Sequence, residues 1–168
     1  MKKVLLIAAL AVFGFGISNA QEAGFKAGIV GALPMGDLGD ISSFGIGLDA
    51  AYLWEVGDGF LAGAATGYHH FMGKDVDYGF GSVKLNFAYI PVAGAARYSV
   101  SDEFFVGADL GLALAQGDFD GSGFYYRPKV GYNLDAIAIT ASYAGVSVDN
   151  GGGSGSFASI LVGVEYAF

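Results

Sequence analysis

Two adjacent histidines, His69 and His70, are the residues whose chemistry stands out first. A histidine pair could bind a transition metal, or one imidazole could act as a general base. The surrounding segment, 60–72, is predicted to be a strand, and neighbouring residues of a strand point to opposite faces. The two rings therefore cannot converge on one ion. We expect interfacial histidines near the outer rim of the sheet and no metal site.

The segment 118–123, which reads DFDGSG, begins like a calcium-binding loop. Such a loop needs a bidentate glutamate at its twelfth position, and Lys129 stands there. A hairpin loop rich in Asp and Gly explains the same residues. We expect a turn at this place and neither a metal nor a cofactor.

The first twenty residues have the three parts of a secretory signal peptide. A basic start at Lys2 and Lys3 is followed by an apolar run and by small residues up to Ala20. Cleavage after Ala20 would leave 21–168 as a single domain and change the formal net charge from −8 to −10. An acidic chain repels the phosphates of nucleic acids, so we expect no nucleic-acid partner.

The composition predicts strands with one apolar face. Hydrophobic residues make up 54% of the chain and charged residues only 14%, with 29 glycines and no cysteine. After the signal, the longest apolar stretch is 104–115, and Gly107, Asp109 and Gly111 interrupt it. A chain that is apolar overall but never for twenty consecutive residues is typical of an amphipathic sheet.

Eight segments alternate with a period of two residues. In 44–56 the even positions read Phe, Ile, Leu, Ala, Tyr, Trp and Val, whereas 60–72 carries small residues on both faces, so its two faces are not distinguished. Pro91 lacks a backbone donor, so we expect a bulge or a change of phase there. The predicted strands are 22–33, 44–56, 60–72, 83–100, 104–116, 124–134, 136–148 and 157–168.

The connections between these segments alternate between long and short. Long connections are predicted at 34–43, 73–82, 117–123 and 149–156, and short ones near 57–59, 101–103 and 135. Short turns at one end, longer loops at the other and an even strand number are typical of outer-membrane barrels. We predict an eight-stranded antiparallel transmembrane up-and-down β-barrel, with both termini on the periplasmic side.

If the apolar face of each strand meets lipid, eight charged residues point inward. Buried charges are costly unless they are paired, so a balanced set of four basic and four acidic residues predicts an ion-pair network in a plugged interior. Arg97 belongs to the set if Pro91 marks the change of phase. The predicted interior charges are Lys26, Asp49, Glu55, Arg97, Asp109, Arg127, Lys129 and Glu165.

Aromatic residues lie near both ends of the predicted apolar faces, as in the aromatic girdles at membrane interfaces. The girdle is expected to include Tyr52, Trp54 and Phe104 toward the periplasmic end and Phe124 and Tyr126 toward the outer end. Further members are expected at Tyr98, Tyr132, Tyr166, Phe44, Tyr68 and Phe157.

The last segment, FASILVGVEYAF, carries Val164, Tyr166 and the terminal Phe168 on its apolar face. With the signal peptide, the eight segments and the stretch YIPVAGAARY at 89–98, it resembles the small eight-stranded outer-membrane proteins. These are the OmpX-like and OmpA-barrel type and the porin-like outer-membrane β-barrel family of Bacteroidetes. The resemblance implies that the last strand pairs with the first. It also implies that Phe168, Tyr166 and Val164 form the signal read by the barrel-assembly machinery.

Three functions remain open within this group. The first is a structural or surface-interaction barrel, adhesin-like, that contacts outer-membrane lipid and lipopolysaccharide and presents its outer loops to a surface ligand. The second is a narrow porin-like channel, which the many inner glycines favour and the balanced inner charges oppose. The third is a lipid-modifying enzyme. The His-x-Ser pattern of such relatives is absent, since Phe71 and Met72 follow His70, so we expect a protein that is not an enzyme. We also expect it to be a monomer.

The outer loops are acidic, with seven aspartates against Lys74 alone. They could gather divalent cations that bridge to lipopolysaccharide phosphates, but the spacing of a ligand set is missing, which favours a solvated acidic rim. The aspartates are Asp37, Asp40, Asp75, Asp77, Asp118, Asp120 and Asp149.

Overall fold

The computed structural model describes residues 23–77, 82–84, 86–116, 121–149 and 154–168. The predicted signal peptide, 1–20, and the aspartates Asp118 and Asp120 lie outside the described residues.

Eight antiparallel strands close into a barrel. The barrel strands are β1 (Gly24–Met35), β2 (Ser42–Gly57), β3 (Phe60–Gly73), β6 (Phe87–Ser99), β7 (Phe104–Gln116), β8 (Ser122–Leu134), β9 (Ile137–Asp149) and β10 (Ser154–Ala167). Around the barrel the order is β1, β10, β9, β8, β7, β6, β3, β2, so each strand pairs with the next barrel strand in sequence and β10 pairs with β1. The fold predicted from the sequence is confirmed.

Two further elements differ from the sequence prediction: a helix lies in the predicted loop 34–43, and a hairpin takes residues from the predicted loop 73–82 and from the start of the predicted strand 83–100, so that the barrel strand there begins only at Phe87. A short helix, α1 (Asp37–Ile41), lies between β1 and β2, and a two-stranded hairpin of β4 (Asp75–Asp77) and β5 (Ser82–Lys84) lies between β3 and β6. Leu38 of α1 is 2% exposed and packs into the core cluster with Val30 and Phe71. The helix therefore covers the end of the barrel at which the long connections lie.

The wall of the barrel is apolar outside and polar inside, the reverse of a water-soluble protein. On β2, Leu48 is 61% exposed and Leu53 is 1% exposed, because they stand on opposite faces. Inward positions include Lys26, Arg97 and Arg127, each at most 4% exposed. Strands of 12 to 16 residues exceed the roughly 9–11 that cross a bilayer at a tilt.

Pro91 does not change the phase of β6, contrary to the sequence prediction. The register with β7 continues through Ile90↔Leu114, Pro91↔Ala113 and Val92↔Leu112. Pairing with β3 is interrupted only locally, between Thr66↔Val92 and His69↔Tyr89. The continuous ladder with β7 keeps the strand in register. The missing backbone donor of Pro91 therefore interrupts the pairing with β3 locally but does not shift the register. Arg97 consequently faces inward without any slip.

Both described ends of the chain lie at the short-turn end of the barrel, where Lys26 of β1 is paired with Ala167 of β10. Irregularities in register occur between β2 and β3, at Ser42/Phe44 and Glu55/Gly57. They fall at the ends of β2 and leave the central pairing continuous.

Candidate functional site

Two ion pairs cross the lumen from one wall to the opposite wall. The Arg127 Nη1 donates to Asp49 Oδ2 at 2.7 Å, and the Arg97 Nη2 donates to Glu165 Oε1 and Oε2 at 2.8 and 3.1 Å. Arg127 and Asp49 stand on β8 and β2, and Arg97 and Glu165 on β6 and β10. In each case the two strands are four places apart in a ring of eight. Barrel closure alone brings these partners together.

Asp49 links two further strands, β3 and β6, through its second oxygen. Asp49 Oδ1 lies 2.8 Å from His69 Nε2, and His69 Nδ1 lies 3.2 Å from the Tyr89 hydroxyl. An ionised carboxylate only accepts, so His69 donates through Nε2 and a neutral ring accepts the Tyr89 proton at Nδ1. Arg127 Nε also donates to Ser142 Oγ at 2.8 Å. The carboxylate of Asp49 is therefore shared by a guanidinium and an imidazole.

His69 lies inside the barrel, so the prediction of two interfacial histidines is wrong for this residue. It is 1% exposed, and only His70 faces outward, with its ring 6.5 Å from that of Tyr68. The prediction that adjacent histidines point to opposite faces is correct. The inward positions near His69 include Gly67 and Ala65, and these small residues conceal the alternation that would have identified the face.

The remaining predicted interior charges divide into those in the lumen and one outside it. Lys129 Nζ lies 2.6 Å from Asp109 Oδ2 on the neighbouring strand, and Lys26 is 1% exposed. Glu55 is exposed, so its assignment to the interior network is wrong. The alternation along β2 places Glu55 on the inward-facing side of the strand. It stands two residues before the end of the strand at Gly57, however, and so lies at the mouth of the barrel. Among the residues that the structure describes, four basic side chains thus face three acidic ones in the lumen.

Aromatic rings lie flat against the inner wall over glycines. Phe71 covers Gly45, and a Cβ atom at Gly45 would lie 2.7 Å from the Phe71 ring. Phe105 overlaps the place of a Cβ at Gly131 in the same way, and the Arg97 guanidinium lies 3.8 Å above the Phe105 ring centre. The space above these two inner glycines is therefore occupied by aromatic rings, one of which stacks under the Arg97 guanidinium, and not by a water-filled channel.

The space left among the charged side chains of the lumen is small. The interior cavity among Asp49, Asp109, Arg127, Lys129 and Glu165 has a volume of about 20 Å³. About 10–15 Å³ of such space accommodates one water molecule. Tyr125, 1% exposed, fills the lumen beside it. This stretch of the lumen therefore has room for about one water molecule.

The predicted girdle residues face outward, with the exception of Phe157. Tyr52, Trp54, Phe104 and Phe124 are 44–55% exposed, and Tyr126 lies half-buried over Gly145. Tyr52 and Trp54 contact each other with ring centres 4.9 Å apart.

Phe157 does not belong to this outward set, because it faces inward. It packs against the core cluster with its ring 5.5 Å from that of Phe87. β10 alternates from Ser159 onward with odd positions inside, and Phe157 has the same phase. The sequence prediction for Phe157 is therefore wrong.

The last strand closes the barrel, as expected. β10 pairs with β1 from Ala158↔Met35 to Ala167↔Lys26, and the backbone N–H of Phe168 donates to the Phe25 carbonyl at 3.0 Å. The Phe168 ring lies 5.6 Å from that of Phe25 and 4.8 Å from that of Tyr166. Val164 and Tyr166 are exposed on the outer wall.

Among the residues that the structure describes, no group of three or more His, Cys, Asp or Glu side chains is arranged to hold a metal ion. The described residues also include no helix that is long and apolar enough to cross a membrane.

No protein-family model and no curated protein matches the sequence. Solved structures do match. The chain is similar to the outer membrane protein Ail of Yersinia pestis, with a TM-score of 0.58 and 15% identity over 88% of this chain and 100% of that one. It is similar to Neisserial surface protein A, with a TM-score of 0.54 and 17% identity over 86% and 96%. A designed transmembrane β-barrel matches with a TM-score of 0.53 and 10% identity over 90% and 100%. The chain has the fold of the small eight-stranded outer-membrane β-barrels.

Proposed function

We propose that the protein is an integral outer-membrane barrel with a closed lumen, and that it acts as a structural or surface-interaction protein. The observation that carries this proposal is the pair of ion bridges across the lumen, Arg127–Asp49 and Arg97–Glu165. Buried pairs of this kind hold opposite walls together and occupy the space that a pore would need. The apolar outer wall supports insertion in a bilayer.

Orientation and assembly belong to the same proposal. The short-turn end, which carries both described ends of the chain, faces the periplasm, and the end with α1 faces outward. The barrel-assembly machinery reads Val164, Tyr166 and Phe168, and the barrel is a monomer within the OmpX-like or Bacteroidetes porin-like group. The alternation of short and long connections supports this orientation.

The outward end is where a surface partner or lipopolysaccharide would be met. Lys74 Nζ donates to the Gly39 carbonyl at 2.6 Å, which ties α1 to the end of β3. A fixed helix over the barrel mouth supports a contact surface and not an opening. One protein of similar fold is named an attachment invasion locus protein, which is consistent with an adhesin-like role.

An enzymatic role is not part of the proposal. The side chains within hydrogen-bond distance of His69 are Asp49 and Tyr89, deep in the lumen. A nucleophile and an exposed substrate site would both be needed beside that imidazole.

Refolding residues 21–168 into lipid vesicles tests the proposal. We expect an SDS-resistant, heat-modifiable barrel whose vesicles retain a trapped small dye as well as protein-free vesicles do. Failure to insert would contradict the membrane assignment. Rapid dye release by demonstrably folded protein would replace the closed barrel with the narrow channel.

A further inference from the structure

A groove runs along the outer wall where β3, β2, β1, β10 and β9 lie side by side. Its volume is about 840 Å³, within the roughly 300–1,000 Å³ of ligand pockets. The outward side chains along it are apolar except at one edge. They are Ile29, Ile46, Leu48, Ile139, Val162 and Val164.

Gly31 lies on the floor of the groove. It is paired with Ile46 on one side and Val162 on the other, so a position without a side chain stands between two branched ones. A Cβ atom at Gly31 would lie 3.2 Å from the Phe44 ring, so this ring reaches over part of the position. The missing side chain lowers the apolar wall at Gly31, and the Phe44 ring borders the low place.

His70 stands at the edge of this groove beside Tyr68. The structure describes the side chains of most outward positions on the barrel strands. Among these side chains, His70 is the only Asp, Glu, Lys, Arg or His. Ionisable residues on a membrane wall are rare and indicate function. It lies three residues before the end of β3 at Gly73, about 10 Å along the strand, and therefore near the level of lipid headgroups.

We propose that this groove binds one phosphate-bearing lipid of the surrounding membrane. One acyl chain lies over Gly31 between Ile46 and Val162, and the phosphate accepts hydrogen bonds from the His70 ring and the Tyr68 hydroxyl. An imidazole beside a hydroxyl provides donors for an anion, and the apolar groove provides the surface for a chain. The inference rests on the proposed membrane insertion.

Native mass spectrometry tests it on barrels refolded in equal amounts of phosphatidylglycerol and phosphatidylcholine with identical chains. The wild type should retain one lipid, mainly phosphatidylglycerol. Gly31→Ile fills the groove and should reduce retention of both lipids about tenfold. His70→Leu should keep the chain site and lose most of the preference for phosphatidylglycerol, about tenfold for one charged hydrogen bond.

Gly94→Ile is the matched control, since Gly94 faces outward on β6 and a Cβ there has no neighbour nearer than 3.9 Å. It should bind lipid as the wild type does. Equal retention by the Gly31 and Gly94 variants, or a folded wild type that retains no lipid, would overturn the inference. Failure of every protein to insert would contradict the proposed membrane location instead.

Discussion

Replacing Arg127 with methionine removes the bridge between β8 and β2 and leaves similar apolar bulk in the lumen. The variant loses the 2.7 Å bond to Asp49 and the 2.8 Å bond to Ser142. Asp49 would then be a buried carboxylate held only by His69. Breaking a buried pair by removing one partner costs about 3–5 kcal/mol. Because the Asp49 side chain keeps 21% exposure, we expect a loss near the low end, about 3 kcal/mol.

A second variant separates the bridge from general damage to packing. Asp49→Asn in the Arg127→Met background removes the unpaired charge, while the new amide oxygen still accepts from His69. The double variant no longer buries an unpaired charge, but the new amide NH2 group has no acceptor beside methionine, so it should recover about half of the lost stability or more.

Urea unfolding of the refolded barrel in lipid vesicles measures both effects. Trp54 is the single tryptophan and is 53% exposed on the outer wall, so its fluorescence reports transfer from lipid to water. A single variant within about 1 kcal/mol of the wild type would show that the Arg127–Asp49 bridge does not stabilise the barrel. A double variant no more stable than the single one would show that the loss comes from packing and not from the unpaired charge.

Three further predictions follow from the packing. Gly131→Ala should lower the free energy of unfolding by about 1–3 kcal/mol in the urea titration, because the new Cβ atom would overlap the Phe105 ring. Gly94→Ala is the control and should change this free energy by less than about 0.5 kcal/mol. Phe168→Ala removes the ring that contacts Phe25, and we expect a several-fold lower yield of heat-modifiable barrel in isolated outer membranes; wild-type yield would contradict this. Stability in neutral-lipid vesicles should change little between about 0.05 and 1 M NaCl, because salt screens buried ion pairs much less than exposed ones; a steep fall would indicate exposed bridges.

The strand number and most of the facing are predictable from the sequence because a period of two fixes both. The alternation in β2 and β10 separates exposed Leu48 and Val164 from inward Asp49 and Glu165 without any tertiary information. The inward positions of Lys26, Asp109, Arg127 and Lys129 follow from the same pattern. Arg97 also faces inward, although the change of phase at Pro91 on which its predicted position depended does not occur.

The partners of those charges are not predictable from local pattern. Arg127 and Asp49 are 78 residues apart in sequence, and Arg97 and Glu165 are 68 apart. Which side chains meet depends on the strand order and the stagger of the closed barrel. The sequence therefore predicts which side chains line the lumen, but not which of them form ion pairs with one another.

The wrong predictions have particular physical reasons. His69 was concealed by glycines and alanines on both faces of β3. Pro91 keeps its phase because the ladder with β7 is continuous. Glu55 lies on the inward-facing side of β2, as its alternation predicts, but it stands beyond the enclosed part of the lumen. An alternating pattern does not show where the lumen ends.

Single-channel recording in a planar bilayer tests the closed lumen most directly. The sample is refolded wild-type barrel, shown to be heat-modifiable and incorporated, with a known porin recorded in the same membrane. The cross-lumen pairs and the cavity of about 20 Å³ predict no conductance steps. Discrete, reproducible steps from the wild-type barrel would contradict the account.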